Sequence, residues 1–292
     1  MTMLAEPDVG FTLIGTRTDR FHSRFYDSQL SHRYLVTLAD GRAVETTAYQ
    51  HFLYGQPTDL SIDVSTMAGC PVRCLFCESG LIDASRVLSV SEICRQFNEM
   101  VRRHDHPEIP QVVCSFQGIG EPSLIPRQVI EVSRRILPAG RRISLSVSTT
   151  GVGVAAFALW RESRIEFENI QISLLAPREE SRRLMMASAP SLVTLLKEGQ
   201  LCLESGTFRK VKFNLVLIRG INDSHDDLDA LVSLFKGTGL TVKLSALNRT
   251  RVAMHHDLHP SSLQRAQQMA SELRAQGVDC YVFGAFSDID VS

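Results

Sequence analysis

Three cysteines lie within eight residues of one another, in the stretch Cys70-Pro-Val-Arg-Cys74-Leu-Phe-Cys77. They directly follow an apolar run, residues 61–66, that is typical of a buried strand. Thiolates this close together in a loop can converge on one face of a metal site. A cubane iron–sulfur cluster normally takes four thiolates, so three ligands would leave one iron open to a substrate or cofactor.

Zinc and simple packing are the alternative interpretations of the seven cysteines. A zinc site needs four ligands, and the chain has no second Cys-x-x-Cys pair. Several histidines could supply a fourth ligand, although charged or proline-bounded surroundings favour solvated loops for all of them: His104, His106, His255, His256 and His259. The remaining cysteines lie in helix or strand patterns and are interpreted as small buried residues: Cys94, Cys114, Cys202 and Cys280.

Polar motifs follow the other apolar runs. Gly118-Ile-Gly120-Glu121-Pro122 offers a carboxylate and exposed backbone that could hold an ammonium group. Further polar residues end the later runs, in Ser148-Thr149-Thr150-Gly151, Ile172-Ser173-Leu174, Gly220-Ile-Asn222-Asp223 and at Asn248. An α/β barrel places its functional loops at the carboxyl ends of its strands, so these residues are expected to share one side of the sheet.

The elements that must position these residues alternate regularly. Strands are predicted at residues 61–66, 111–116, 142–148, 169–174, 211–218, 241–246 and 279–283, and most are rich in Val, Ile, Leu and Phe, as strands covered on both faces are. Helices are predicted at residues 89–103, 127–137, 154–162, 191–204, 226–235 and 260–276. This alternation predicts an α/β fold with a parallel sheet, a partial (β/α)6 TIM-like barrel or a flat doubly wound sheet.

Local signals mark some boundaries. Ser89 with Glu92 forms a capping box, and Pro260 suits the first turn of a helix. Residues 34–39 and 43–47 resemble a hairpin with Asp40-Gly41 in its turn. We therefore divide the chain into a short N-terminal β extension, residues 1–60, and a barrel, residues 61–292.

Composition excludes several classes of protein. Among the 292 residues, 44% are hydrophobic and 22% charged, which is ordinary for a globular protein. A net charge of -1 argues against binding nucleic acid mainly through phosphates. The chain has neither an apolar stretch long enough to cross a bilayer nor a signal-peptide pattern, so we expect a cytoplasmic protein. Cysteines in such a chain favour metal binding or catalysis over disulfides.

The Cys-x3-Cys-x2-Cys spacing after a first barrel strand, with Phe76 before the last cysteine, resembles the radical S-adenosylmethionine (SAM) enzymes. The resemblance implies a [4Fe-4S] cluster on Cys70, Cys74 and Cys77, with SAM on the open iron. It also implies an electron donor such as flavodoxin or ferredoxin. One electron would cleave SAM to methionine and a 5′-deoxyadenosyl radical.

Together with the later motifs, the pattern is similar to the 23S rRNA adenine-C2 methyltransferases and the related chloramphenicol–florfenicol resistance methyltransferases. The resemblance covers residues 34–290. It implies SAM contacts at Gly120, Glu121, Ser148, Ser173 and Asn248. It also matches Glu45, in Val44-Glu45-Thr46, with an acidic residue near the target base.

The chain departs from that family at the residues that carry methyl transfer. Asp63 stands where the family has a cysteine that resolves a covalent intermediate, and Leu175 stands where it has a histidine. Ser287-Asp288-Ile289-Asp290 resembles the stretch before the methyl-carrying cysteine, which the sequence stops short of. The family's helical N-terminal RNA-binding domain also has no counterpart in the 33 residues before Tyr34.

These departures favour direct hydrogen abstraction from a small substrate, such as a nucleotide or another metabolite, over a large structured RNA. Asp63 and Glu45 are the predicted substrate contacts, because a carboxylate can bind substrate or accept a proton. Two alternatives stay open. The first is adenine-C2 methylation of RNA, and the second is a non-catalytic iron–sulfur protein.

Overall fold

The computed structural model describes residues 10–20, 26–82, 86–136 and 143–284. Ser287-Asp288-Ile289-Asp290, which resembles the stretch before a methyl-carrying cysteine, lies outside the described residues. Leu137 and Arg142, at the ends of a predicted helix and strand, also lie outside them.

A ten-stranded sheet organises the described part of the chain. In chain order, its strands and a separate two-residue pair (β5 and β6) are β1 Phe11–Arg20, β2 Ser28–Thr37, β3 Ala43–Leu53, β4 Gln56–Asp63, β5 Met67–Ala68, β6 Arg86–Val87, β7 Val112–Phe116, β8 Ile143–Thr149, β9 Phe167–Ser173, β10 Phe208–Leu217, β11 Thr241–Ala246 and β12 Cys280–Phe283. The spatial order is β1-β2-β3-β4-β7-β8-β9-β10-β11-β12.

Two kinds of pairing meet at β4. Strands β1 to β4 form an antiparallel meander, and every pairing from β4 to β12 is parallel. Each parallel pair needs a crossover, and these crossovers carry the helices. The predicted α/β fold with a parallel sheet is confirmed, in the form of an open, partial barrel.

Helices occupy the crossovers, and the described ones are α1 Val90–His104, α2 Pro126–Ile136, α3 Ala155–Glu162, α4 Glu179–Met185, α5 Leu192–Glu204, α6 His225–Phe235, α7 Arg251–His255 and α8 Leu263–Ala275. The capping box of Ser89 and Glu92 is present at the start of α1. The helix start at Pro260 is wrong, because Ser262 caps α8 and Pro260 bridges Ile218 instead. The sequence patterns missed α4 and α7, which are too short to show a helical period.

The parallel strands have one apolar face and one polar face, whereas strands covered on both sides are typically apolar on both. The outer face, which packs against the helices, is apolar and fully buried along β7 to β11: Cys114, Phe116, Leu145, Val147, Ile170, Ile172, Phe213, Leu215, Val242 and Leu244. The alternate residues face the barrel interior, and most are half-buried and polar: Asp63, Ser148, Asn169, Gln171, Ser173, Lys212, Asn214, Lys243 and Ser245. The overall share of apolar residues in these strands does not show this alternation of polar and apolar positions.

The sheet curls so that its distant parts meet. Tyr26, just before β2, stacks on His51 of β3 with ring centroids 4.1 Å apart. The same tyrosine makes an edge contact of 6.5 Å with Phe283 of β12. Strands β2 and β12 lie near opposite ends of the sheet order, so this contact requires strong curvature around the polar face.

The N-terminal hairpin is confirmed and is longer than predicted. Strands β2 and β3 pair from Ser28 with Phe52 to Thr37 with Ala43. Asp40 accepts a hydrogen bond from Arg42 N at 3.1 Å in the connecting turn. Strand β4 joins this meander to the barrel in one continuous sheet, and the domain boundary at residue 60 stays a prediction.

None of the helices in the described ranges combines the length and hydropathy that a bilayer span requires.

Candidate active site

Backbone hydrogen bonds fold the segment 70–80, the cysteine loop, back on itself. Cys70 N donates to Ser79 O at 2.9 Å, and Gly80 N donates to Cys77 O at 3.2 Å. Inside the loop, Cys77 N donates to Cys74 O at 3.0 Å. The three cysteines therefore project from one compact turn, and all three are half-buried free thiols.

The loop after β9 holds the cysteine loop from one side. Leu75 N donates to Met185 O at 2.9 Å, and Cys74 Sγ lies 3.6 Å from Met186 Sδ. Leu175 packs in the same apolar cluster, together with Val72. Leu175 thus serves as core at the position where a polar contact to SAM is expected in the resembling family.

The loop after β11 holds the cysteine loop from another side. Thr250 Oγ1 donates to Phe76 O at 3.0 Å, and Arg251 N donates to Glu78 Oε1 at 2.8 Å. Asn248 is exposed in this loop, and its carbonyl accepts from Thr250 N at 2.8 Å. The crossovers that follow β9 and β11 thus bring the cysteine loop to the carboxyl edge of the sheet.

The three thiols lie within electrostatic reach of one another. Burial raises the pKa of Cys70 to about 11, and the negative charges of Glu121 and Cys77 add to the rise. Burial also raises the pKa of Cys74, with further contributions from Cys77 and Cys70. Thiolates here need a compensating cation, which the iron of a cluster would provide. The described side chains nevertheless include no ready-made group of three metal ligands, so cluster ligation stays a prediction.

The Gly118–Gly120 turn lies against the segment that leads into the cysteine loop. Gly120 has a φ of +118°, and a Cβ there would lie 2.8 Å from Met67 N. Ser65 Oγ accepts from Ile119 N at 2.9 Å and donates to Glu45 O. The absence of a side chain at Gly120 thus permits the close approach of the turn to this segment.

Glu121 is buried and already has several donors. Its carboxylate accepts from Ser123 N at 2.9 Å, from Thr150 N and Thr150 Oγ1 at 2.8 Å each, and from Thr149 Oγ1. These bonds tie the turn after β7 to the end of β8. An ammonium group of SAM would share the carboxylate with them, and the SAM contact of Glu121 stays a prediction.

Ser148, one residue before the end of β8, and Ser173, the last residue of β9, lie on the inner face of neighbouring strands. Ser148 Oγ donates to Gln117 Oε1 at 2.8 Å. Ser148 pairs with Gln171 of β9, and Ser173 pairs with Asn214 of β10. Both serines lie at the carboxyl edge, which is the side that the sequence predicts for SAM contacts.

Asp63 is the last residue of β4 and faces the interior. Burial raises its pKa to about 6, although a hydrogen bond from Ser115 and the positive charges of His51 and Lys243 oppose the rise. Glu45 lies on β3, where Arg33 Nε is 3.9 Å from Glu45 Oε1, and its negative charge adds to the rise at Asp63. The structure therefore brings the two predicted substrate contacts close together.

Sequence reasoning missed the basic part of the interior. Lys243 Nζ donates to Gln171 Oε1 at 2.8 Å and lies 4.0 Å from the ring centroid of Phe283. Lys212 Nζ lies 6.0 Å from the ring centroid of Tyr281. A signal was present, because Lys243 and Lys212 each stand at alternate positions between apolar strand residues.

The remaining cysteines pack as the sequence indicates. Cys114 and Cys202 are fully buried, Cys280 is 2% exposed, and Cys94 is half-buried against the core.

The family model described as "Radical SAM superfamily" matches residues 64–232 of the chain. The crystal structure of a radical SAM methyltransferase from Sphaerobacter thermophilus covers 91% of this chain and shares its fold. Its TM-score is 0.73, its sequence identity is 24%, and the match covers 76% of that chain. The chain therefore belongs to the radical SAM superfamily and is an enzyme of that type.

Curated relatives carry the name "Probable dual-specificity RNA methyltransferase RlmN". The one from Prochlorococcus marinus (strain NATL2A) is 35% identical over 230 residues, which are 73% of this chain and 59% of the relative. The one from Streptococcus mutans serotype c (strain ATCC 700610 / UA159) is 30% identical over 86% of this chain and 69% of the relative. The chain thus spans less than two thirds of the Prochlorococcus relative.

Proposed function

We propose that this enzyme abstracts a hydrogen atom from a small substrate that binds inside the barrel. The observation that carries the proposal is the polar inner face, on which Asp63 lies at the carboxyl end of β4, seven residues before Cys70. A TIM-type barrel normally fills its interior with branched apolar side chains. Half-buried polar side chains there suit a bound polar molecule better than a packed core.

The residues fit the cofactors of the family. Cys70, Cys74 and Cys77 would hold a [4Fe-4S] cluster, and the carboxyl-edge residues Gly120, Glu121, Ser148, Ser173 and Asn248 would hold SAM. When bound and reduced by a donor such as flavodoxin or ferredoxin, the cluster supplies the electron that cleaves SAM to methionine and a 5′-deoxyadenosyl radical. That chemistry would break one C–H bond of the substrate, and the hydrogen atom would end in 5′-deoxyadenosine.

The chain's own side chains would orient the substrate beneath SAM. Asp63 and Glu45 lie at the edge next to the cysteine loop, and Ser65 links Glu45 to the Gly118–Gly120 turn. This arrangement lets the substrate contacts and the SAM contacts share one rigid frame. Asp63 would accept a hydrogen bond from substrate, since it is a half-buried acceptor on the inner face.

The test is SAM cleavage by anaerobically reconstituted protein with dithionite as reductant. We expect 5′-deoxyadenosine and methionine from the wild type and at least a hundredfold less from Cys74→Ala. Cys94→Ala, at a half-buried cysteine in α1, is the matched control and should keep wild-type cleavage. SAM cleavage that continues unchanged in Cys74→Ala would overturn the assignment of Cys74 as a cluster ligand. A tightly bound zinc ion, with no visible absorbance from a cluster, would overturn the assignment of an iron–sulfur cofactor.

RNA methylation is the second candidate, because the curated relatives are named RNA methyltransferases. That reaction predicts S-adenosylhomocysteine and a methylated cysteine from a first SAM, before the methyl group passes to adenine. Incubation with SAM, reductant and 23S rRNA fragments separates the two candidates by mass spectrometry. S-adenosylhomocysteine together with methylated RNA would favour methyl transfer over direct abstraction, whereas 5′-deoxyadenosine alone supports the small-substrate proposal.

A further inference from the structure

Lys243 places its amino group inside the barrel with an aromatic ring on one side. Its ammonium group donates to Gln171 Oε1 at 2.8 Å and lies 4.0 Å from the ring centroid of Phe283. Gln171 in turn donates to Ser148 Oγ at 3.4 Å. An ammonium group has three N–H donors, so this arrangement leaves room for an anionic acceptor.

Asp63 faces Lys243 across the interior. The two residues lie on β4 and β11, with four strands between them in the sheet order. Curvature of the sheet brings their surroundings together, because the ring of Phe283 beside Lys243 lies 6.5 Å from that of Tyr26, which stacks on His51 of β3. Consistent with this geometry, each of the two charges alters the pKa of the other residue. One polar space therefore has an acidic wall at β4 and a basic wall at β11.

The other charged groups around this space fall on the same two walls. On the β4 side, His51 Nδ1 lies 2.9 Å from Asp59 Oδ1, and Glu45 lies near Asp63. On the β11 side, the charge of Lys212 lowers the pKa of Lys243, after burial as the main cause. The β4 side thus carries the carboxylates of Asp63, Glu45 and Asp59, the last of them paired with His51, whereas Lys243 and Lys212 lie on the other side.

Fold stability does not explain these charges. A charge removed from water costs free energy, and a buried ion pair is often replaced by apolar residues without loss of stability. The neighbours of Lys243 along β11, Val242 and Leu244, are fully buried apolar residues that already anchor the strand to the helices. Lys243 therefore suits binding better than packing.

We propose that the barrel interior binds a small substrate with an anionic group, a carboxylate or a phosphate, on Lys243 and a hydroxyl or amino group on Asp63. This inference rests on the proposed function and names the class of its substrate. The anion accepts a charge-assisted hydrogen bond from Lys243. The donor at the opposite end of the molecule satisfies the Asp63 carboxylate and sets the orientation of the C–H bond beneath SAM.

Anion binding tests the proposal without any radical chemistry. Inorganic phosphate and acetate are titrated separately into the reconstituted protein at constant ionic strength, and affinity is followed by thermal shift and calorimetry. We expect saturable binding that Lys243→Met weakens by about tenfold or more, because the variant removes a charge-assisted hydrogen bond to the anion. Lys197→Met, at an exposed lysine in α5, is the matched control and should bind like the wild type.

Asp63→Asn should change the affinity for the anion in the direction opposite to Lys243→Met. Removal of the negative charge across the interior should tighten binding of the same anion by about threefold, because like charges repel most strongly where water is scarce. A variant that merely unfolds cannot bind more tightly, so this result separates an electrostatic effect from damage. Looser binding in Asp63→Asn would contradict the proposal.

Three further results have clear meanings. The anion with the higher affinity, phosphate or acetate, identifies the anionic group of the substrate. No saturable binding by the wild type, or equal binding by Lys243→Met, would overturn the proposal. Loss of anion binding on addition of SAM would assign Lys243 to the SAM carboxylate and would also overturn it. SAM cleavage by the wild type in the absence of substrate is a separate measurement that none of these results affects, so failure of the anion-binding proposal leaves the proposed radical chemistry intact.

Discussion

The two faces of the barrel sheet are built from alternate residues of the same strands, yet they have opposite chemistry. On β10, Phe213 is fully buried against the helices, and its neighbours Lys212 and Asn214 face the interior and are half-buried. Apolar surface removed from water supplies most of the folding free energy. The comparison therefore indicates that the outer face stabilises the fold and leaves the inner face available for ligands.

The largest effect should come from the outer face. Phe213→Ala removes a ring whose centroid lies 5.1 Å from the ring centroid of Phe235 in α6. We expect this variant to lose about 3–5 kcal/mol in the free energy of unfolding. Asn214→Ala, one residue along on the inner face, loses only the bond from Ser245 Oγ and should lose about 1 kcal/mol. Urea unfolding measures both. Equal losses of unfolding free energy in the two variants would contradict the conclusion that the outer face stabilises the fold more than the inner face does.

A pH effect should come from Asp63. Because its pKa is raised from 3.8 to about 6, the folded protein keeps a proton that the unfolded chain releases between those values. The free energy of unfolding therefore falls as pH rises through this window, by about 3 kcal/mol for this group. Groups that face Asp63 are Ser115, His51, Lys243 and Glu45.

Asp63→Asn should remove this contribution. Thermal unfolding from pH 4 to pH 7 is the measurement, with Asp226→Asn, in the first turn of α6, as a control for an exposed carboxylate. A wild-type and an Asp63→Asn profile of the same slope would show that Asp63 titrates normally and is not enclosed.

A smaller effect should appear where a helix meets the outer face. Gly199 lies in α5, and an added Cβ would lie 2.9 Å from the ring of Phe213. Alanine normally stabilises a helix interior relative to glycine. We expect Gly199→Ala instead to lower the free energy of unfolding by about 1–2 kcal/mol through overpacking, as measured by urea unfolding. A higher free energy of unfolding in Gly199→Ala would contradict this expectation and would show that the ring of Phe213 can move to accommodate the added Cβ.

The smallest effect on stability should be that of Lys243→Met. Burial lowers the pKa of Lys243 to about 7, so below pH 7 the folded protein bears the full penalty of the enclosed ammonium group. That penalty is relieved as pH rises from about 7 towards 10.5. At pH 6.5 we expect Lys243→Met to unfold within about 1 kcal/mol of the wild type or to be more stable. A large loss of stability would show that Lys243 is a structural residue.

Much of the fold could be predicted from local patterns. The strand predicted at residues 241–246 is present with those bounds, and the helix that starts after Ser89 is capped as its sequence indicates. The predicted boundaries of the strands were wrong where tertiary contacts determine where a strand begins. Strand β4 begins at Gln56, five residues before the predicted start, because its first residues pair with β3 in the meander.

The candidate site divides in the same way. The cysteine loop and the Gly118–Gly120 turn are local motifs, and their spacing was sufficient to predict them. Lys243 and Gln171 are far apart in sequence and meet only across the interior, at 2.8 Å. A search for motifs treats each strand singly, so it could not pair a lysine of β11 with a carboxylate of β4.

By itself, the sequence determined the radical SAM class, the parallel α/β order and the segments that carry the cysteines and glycines, since these depend on residue type and short spacing. The alternation of polar and apolar residues along the strands is also present in the sequence, but the tertiary structure alone decided which of the inward-facing residues meet. The physical reason is that curvature of the whole sheet brings β4 and β11 within electrostatic range, and no local pattern encodes that distance.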